Sequence, residues 1–165
     1  MTAGMSIEVK GLKETLNELR KVEPTLRKEL TREIKGQAKP LVDAARALVP
    51  SSPPLSGMTH GKFAWTTKAK SQIGIKMGGR SRGKQFTILS LRQNNGVGQI
   101  FDMAGKKGGS TEQGQAFIAN LERRFGAPSR SMWPAAEKML PEIAQELTAT
   151  IDDALGDINK RLVQA

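Results

Sequence analysis

Hydrophobic positions fall at helical spacing near both ends of this chain and alternate in its middle. Towards the C-terminus, Leu140, Ile143, Leu147, Ile151, Leu155, Ile158 and Leu162 recur every three or four residues, which puts them on one stripe of a helix. Glu142, Gln145, Glu146, Asp152, Asp153, Asp157, Asn159 and Lys160 lie off that stripe. The element opens with Ser131-Met132-Trp133-Pro134-Ala135-Ala136. Pro134 suits the first helical position, where the N–H has no intrahelical partner. Pro141 lies a turn deeper, where proline removes a bond and strikes a carbonyl at a cost of ~3 kcal/mol. The pattern predicts a short helix from Pro134, then a kink or restart at Pro141. A long helix with one apolar stripe needs a surface to lie on, and Trp133, Leu147, Ile151 and Ile158 are the expected core residues.

At the other end, Ser6-Ile7-Glu8-Val9 alternates as a short strand would, and Gly11 closes it. A helix follows from Leu12, with Leu16, Leu19 and Val22 on its face. Pro24 starts a second helix, whose stripe continues through Leu26, Leu30, Ile34, Leu41, Ala45 and Leu48. Gly36 and Pro40 should bend it, and Val49-Pro50 ends it, because a residue before proline is pushed out of helical geometry.

Between these ends, Ser51–Gly57 is loop by composition. Phe63 and Trp65 alternate weakly with polar neighbours. Ile73, Ile75 and Met77 mark a strand over 72–77, and Phe86, Ile88 and Leu91 mark the next. Asn94-Asn95-Gly96 reads as a turn, and Val97–Met103 as a third strand with Ile100 and Phe101 apolar. Ala116–Phe125 reads as a short helix with Phe117, Leu121 and Phe125 on one side and Gly126 as its cap. Segments 78–84 and 105–114 read as flexible, glycine-rich and basic. The expected fold is α+β: long N-terminal and C-terminal helices packed on a small central antiparallel β-sheet, in a single domain over 1–165.

Composition fits such a domain. The chain has 165 residues, enough for a sizeable core, with 38% hydrophobic and only 4% aromatic residues, so the core is mostly aliphatic. No apolar run approaches the ~18 residues of a membrane span. Met1–Met5 has no basic start and no apolar run, so no secretory signal is expected. The absence of cysteine excludes disulfides and thiolate-bound zinc, and suits synthesis in a reducing cytoplasm.

Charge changes the picture more. The formal net charge is +10, which favours anionic partners or assembly with acidic proteins. From Ala44 to Phe101 there are nine Lys or Arg and no acid. The candidate contact residues for a partner or for DNA are Arg80, Arg82, Lys84, Lys106 and Lys107, set among glycines that let a backbone approach. The spacing Gly78-(four residues)-Gly83-Lys84 matches part of a phosphate-cradling loop. Gln85 stands where that loop needs Ser or Thr for magnesium, and a strand-like segment follows where it needs a helix. An exposed hairpin loop explains it better. His60, the one histidine, reads as a loop residue. No metal-ligand spacing, catalytic constellation or cofactor motif emerges.

Three stretches together carry a resemblance. They are Val9-Lys10-Gly11-Leu12 running into a helix; Ala45-Arg46-Ala47-Leu48-Val49-Pro50 followed by Pro54-Leu55-Ser56-Gly57; and Ile100-Phe101-Asp102-Met103-Ala104-Gly105 followed by Arg130-Ser131-Met132-Trp133-Pro134-Ala135-Ala136 and a terminal helix. The pattern resembles the neck, or tail-completion, proteins of long-tailed double-stranded DNA phages. The insert Lys106–Gly114 and the basic hairpin depart from that family. The resemblance implies a head–tail connector, a structural virion protein made in the bacterial host cytoplasm. It would form a homo-oligomeric ring, usually sixfold, around the DNA channel at the head–tail junction. Its partners would be other neck and tail proteins, packaged DNA is a further contact to consider, and no cofactor, catalytic residue or membrane is implied. A tail terminator capping the tail tube is the nearest alternative. A free DNA-binding protein is the alternative from another class, and an enzyme is the weakest reading.

Overall fold

The computed structural model describes residues 4–7, 24–80 and 86–163. Of the expected elements, the helix over 12–22 and the Glu8-Val9 end of the first strand lie outside them. The fold is α+β. In chain order the elements are β1 (Gly4–Ile7), α1 (Pro24–Gln37), α2 (Lys39–Ala47), a single 3-10 turn (Ser56–Met58), α3 (Lys68–Ser71), β2 (Ile73–Arg80), β3 (Phe86–Gln93), α4 (Gly96–Met103), α5 (Glu112–Phe125) and α6 (Met132–Val163). The sheet has strand order β1-β3-β2, with β2 and β3 as its antiparallel hairpin.

The chain divides into two compact units that interleave along the sequence. Unit 1 holds 1–5, 41–74 and 91–138; unit 2 holds 6–40, 75–90 and 139–165. In unit 2, α1 and the later part of α6 run side by side in opposite directions. Gln37 Nε2 donates to Thr150 Oγ1 at 2.5 Å, and Leu30 lies across from Ala154. Leu30, Ile34, Ala38, Leu89, Ile143, Leu147 and Ile151 are its buried apolar residues. Leu147 and Ile151 are therefore core as the stripe requires; the Ile158 side chain lies outside the described set.

Unit 1 is built on Leu41, Val42, Ala45, Met58, Ala69, Ile73, Leu91, Phe101, Leu121, Met132, Ala135 and Ala136, all buried. Three aromatic rings meet edge to face inside it. Phe101 lies 5.7 Å from Trp65 and 5.3 Å from Phe125, at interplanar angles of 73° and 80°, the arrangement that ring quadrupoles favour. Phe63, by contrast, is exposed in a turn, and neither Phe63 nor Trp65 belongs to a strand.

Several sequence expectations need correction. Val97–Met103 is helical, not a strand. Asn95 Oδ1 accepts from Gly98 N at 2.9 Å, so the Asn-Asn-Gly stretch is a helix cap and not a hairpin turn. The β-strand over 72–77 runs on through Gly78, Gly79 and Arg80. The segment 105–114 is not a plain loop: α5 starts at Glu112, and Thr111 Oγ1 accepts from Gly114 N. Pro141 neither stops nor restarts α6, which is continuous from Met132. Pro141 and Glu137, the residue whose carbonyl loses its helical partner, are both exposed, which leaves that carbonyl open to solvent. Pro134 sits in the first turn, where free N–H groups are normal anyway.

Trp133, expected in the core, is 53% exposed. The inward stripe of the first turns of α6 is Met132, Ala135 and Ala136, and Trp133 is rotated about 100° away from Met132. Leu48 is likewise exposed, because α2 has ended at Ala47 and Val49 takes the buried place. Between Gly36 and Pro40, where a bend is expected, the helix is broken at Ala38, which separates α1 from α2.

Candidate partner-binding site

Unit 1 joins distant stretches of chain through polar clasps. Asp102, at the end of α4, is 1% exposed. Its Oδ1 accepts from Ser131 N at 2.6 Å, from Ser131 Oγ at 2.5 Å and from Met132 N at 3.2 Å. It thus caps the N-terminus of α6 from outside, with a negative charge at the positive end of the helix. Ser129 N and Arg130 N reach the Asp102 carbonyl at 2.6 and 3.4 Å. Arg130 returns across the same junction. Its Nη1 donates to the carbonyls of Phe101 at 2.7 Å and Ala104 at 3.0 Å, and its Nε to Gly126 at 2.9 Å. Burial lowers the Arg130 pKa, and the charges of Glu122 and Asp102 work against that shift.

Two further clasps hold the second stretch of the resemblance. The Arg46 guanidinium donates to the Ile73 carbonyl, at 2.7 Å from Nη2, and to the Ser71 carbonyl at 3.0 Å, gripping the start of β2. Arg124 Nη1 donates to the Pro54 carbonyl at 2.8 Å. At the base of β3, buried Gln93 donates to Ala69 O at 2.7 Å and accepts from Asn95 N at 2.9 Å, tying α3 to the start of α4. Gly98 lets the backbone come this close, because a Cβ there would strike the Gln93 amide.

Beside the Asp102 cap lies a groove of about 870 Å³ along α4, α5 and the first turn of α6. Ile100, Met103, Phe117, Ile118, Met132 and Trp133 give it an apolar lining. Lys106 and Lys107 stand at its edge on the turn after α4, both exposed. Asp102 is the one carboxylate in the lining, and it is already engaged by α6. A second, smaller groove of about 200 Å³ lies in unit 2 between α1 and α6, lined by Glu29, Glu33, Asp153 and Asp157.

The residues singled out in the sequence separate accordingly. Lys106 and Lys107 reach the apolar groove. Arg80 ends β2, while Arg82 and Lys84 lie outside the described residues. His60 is exposed in a turn. Among the described residues no cluster of His, Asp and Glu is arranged to hold a metal ion, and no helix is long and apolar enough to cross a membrane. Sequence reasoning missed the Asp102 cap, the Arg130 clasp and the Gln93 bridge. The contacts that join different elements, Asp102 with Ser131, Arg130 with Phe101 and Gln93 with Ala69, span 29, 29 and 24 residues, too far for a local pattern to link them. Comparison with protein-family models, with curated proteins and with solved structures gave no match.

Proposed function

We propose that this chain is a structural subunit of the neck of a long-tailed double-stranded DNA phage, one copy of a ring that joins or completes head and tail around the DNA channel. The observation that carries the reading is the junction of α4 with α6. Ile100–Gly105 and Arg130–Ala136 are separate in sequence, and both belong to the neck-protein pattern. They are bound to each other through Asp102–Ser131 and through Arg130 to the Phe101 and Ala104 carbonyls. Arg46 and Pro54, from the middle stretch of that pattern, anchor the same unit. Within unit 1 the two later stretches of the resemblance are therefore tied into one structural unit, while the first, 9–12, lies outside the described residues. An exposed apolar groove with a tryptophan at its edge suits a subunit whose surface is completed by neighbours.

Deletion of the gene from the phage genome that carries it tests the reading. The expected result is full heads and finished tails that fail to join, with joining restored by the chain supplied in trans. Tails of irregular length would transfer the assignment to a tail terminator. Normal infectious particles, together with salt-dependent binding of linear DNA by the isolated monomer, would overturn it in favour of a free DNA-binding protein.

A further inference from the structure

We infer that the groove of unit 1 is a docking site for a segment of a partner protein that presents apolar side chains flanked by carboxylates. The inference rests on the groove and not on the neck assignment. A volume of about 870 Å³ exceeds what one side chain fills, and suits a helical turn or short strand bearing several. The walls offer Ile100, Ile118, Phe117 and two methionines, Met103 and Met132, whose unbranched side chains adapt to a partner's shape. Trp133 stands 53% exposed beside them, and tryptophan is the residue type most often found to dominate binding energy.

Charge selects the kind of segment. Lys106 and Lys107 give the edge of the groove positive charge. The lining's one carboxylate, Asp102, is 1% exposed; its Oδ1 binds the start of α6 and its Oδ2 is buried without a partner, so the exposed charge in the lining is that of the two lysines. An apolar segment with acidic flanks therefore gains at both the floor and the edge, while one with basic flanks meets like charge. Nucleic acid fits less well. The floor carries apolar groups where a phosphate backbone needs donors, and one exposed tryptophan is not a stacking ladder.

Methyl NMR of the full-length chain, labelled at methionine and isoleucine methyls, tests this. The probes are two synthetic amphipathic helical peptides with the same Leu/Phe face, one flanked by Glu and the other by Lys. The expected result is saturable shifts at the Ile100, Met103, Ile118 and Met132 methyls, with the Glu-flanked peptide binding about 10-fold or more tightly, equivalent to about 1.4 kcal/mol. Lys106→Glu should remove or reverse that preference with the methyl spectrum otherwise unchanged. Ile118→Asp should abolish binding of both peptides. Absence of saturable binding, equal binding of the two peptides, or stronger shifts of the same methyls by a dT oligonucleotide would overturn the inference. So would concentration-dependent shifts without peptide, which would give the groove to a second copy of this chain. Failure of peptide binding beside unjoined heads and tails in the deletion phage would remove this inference and leave the neck reading standing.

Discussion

Asp102 concentrates in one side chain what holds unit 1 together. One carboxylate oxygen takes two backbone N–H groups and a hydroxyl at a helix N-terminus, so its loss removes a cap and leaves buried donors unsatisfied. Asp102→Ala should cost roughly 2–4 kcal/mol in chemical denaturation, and Asp102→Asn, which keeps an acceptor, distinctly less. An unchanged midpoint for Asp102→Ala would show that the cap contributes nothing. Two glycines make a sharper pair. A Cβ at Gly98 meets the Gln93 amide, so Gly98→Ala should destabilise by about 1–3 kcal/mol. Gly36 lies inside α1 with open space around it, and Gly36→Ala should stabilise by about 0.5–1 kcal/mol. Thermal melts that rank these two variants in the reverse order would contradict the close approach of Gln93 to α4. None of these residues announces itself in the sequence. An aspartate followed much later by Arg-Ser before a helix carries no periodic signal, and a buried glutamine looks like any surface one.

Elements were legible where a period and a terminator coincided. β2 and β3 were found because Ile73, Ile75 and Met77, then Phe86 and Ile88, alternate. α5 was found because Phe117, Leu121 and Phe125 share a face and Gly126 closes it, with a φ of 82° that favours glycine. α4 was misread because its apolar residues, Val97, Ile100 and Phe101, are too few to separate a helical from a strand period. Asn95 held the deciding information as a cap. In α6 the stripe holds at Ile143, Leu147 and Ile151, whereas Trp133, expected in the core beside it, is exposed because the buried face of the first turn is formed by Met132, Ala135 and Ala136. Leu147→Ala should cost about 2–5 kcal/mol, as truncation of a fully buried leucine does. Pro141→Ala on the exposed face of α6 should raise the melting temperature, since proline inside a helix sacrifices up to about 3 kcal/mol. A fall in melting temperature would mean that the proline serves a bend the chain requires.

At the scale of the whole molecule, the charge is segregated. The middle of the sequence is basic and without acid from Ala44 to Phe101, while the helical ends carry most of the carboxylates. DNA leaving a phage head must slide, and clustered Arg and Lys on a channel wall would hold phosphates through counterion release. On the proposed neck reading, most of Lys76, Arg80, Arg82 and Lys84 would therefore face acidic surfaces of adjacent proteins. Charge reversal at Arg80 and Arg82 together should block assembly of complete particles. Normal assembly with altered DNA retention or ejection would move these residues to the channel instead. The central claim, a place in a ring at the head–tail junction, is tested most directly by cryo-electron microscopy of the particle at subunit resolution. The expected result is density for α6 and the β2–β3 hairpin repeated around the channel between head and tail. A particle that lacks this chain, or holds it anywhere else, would contradict the account.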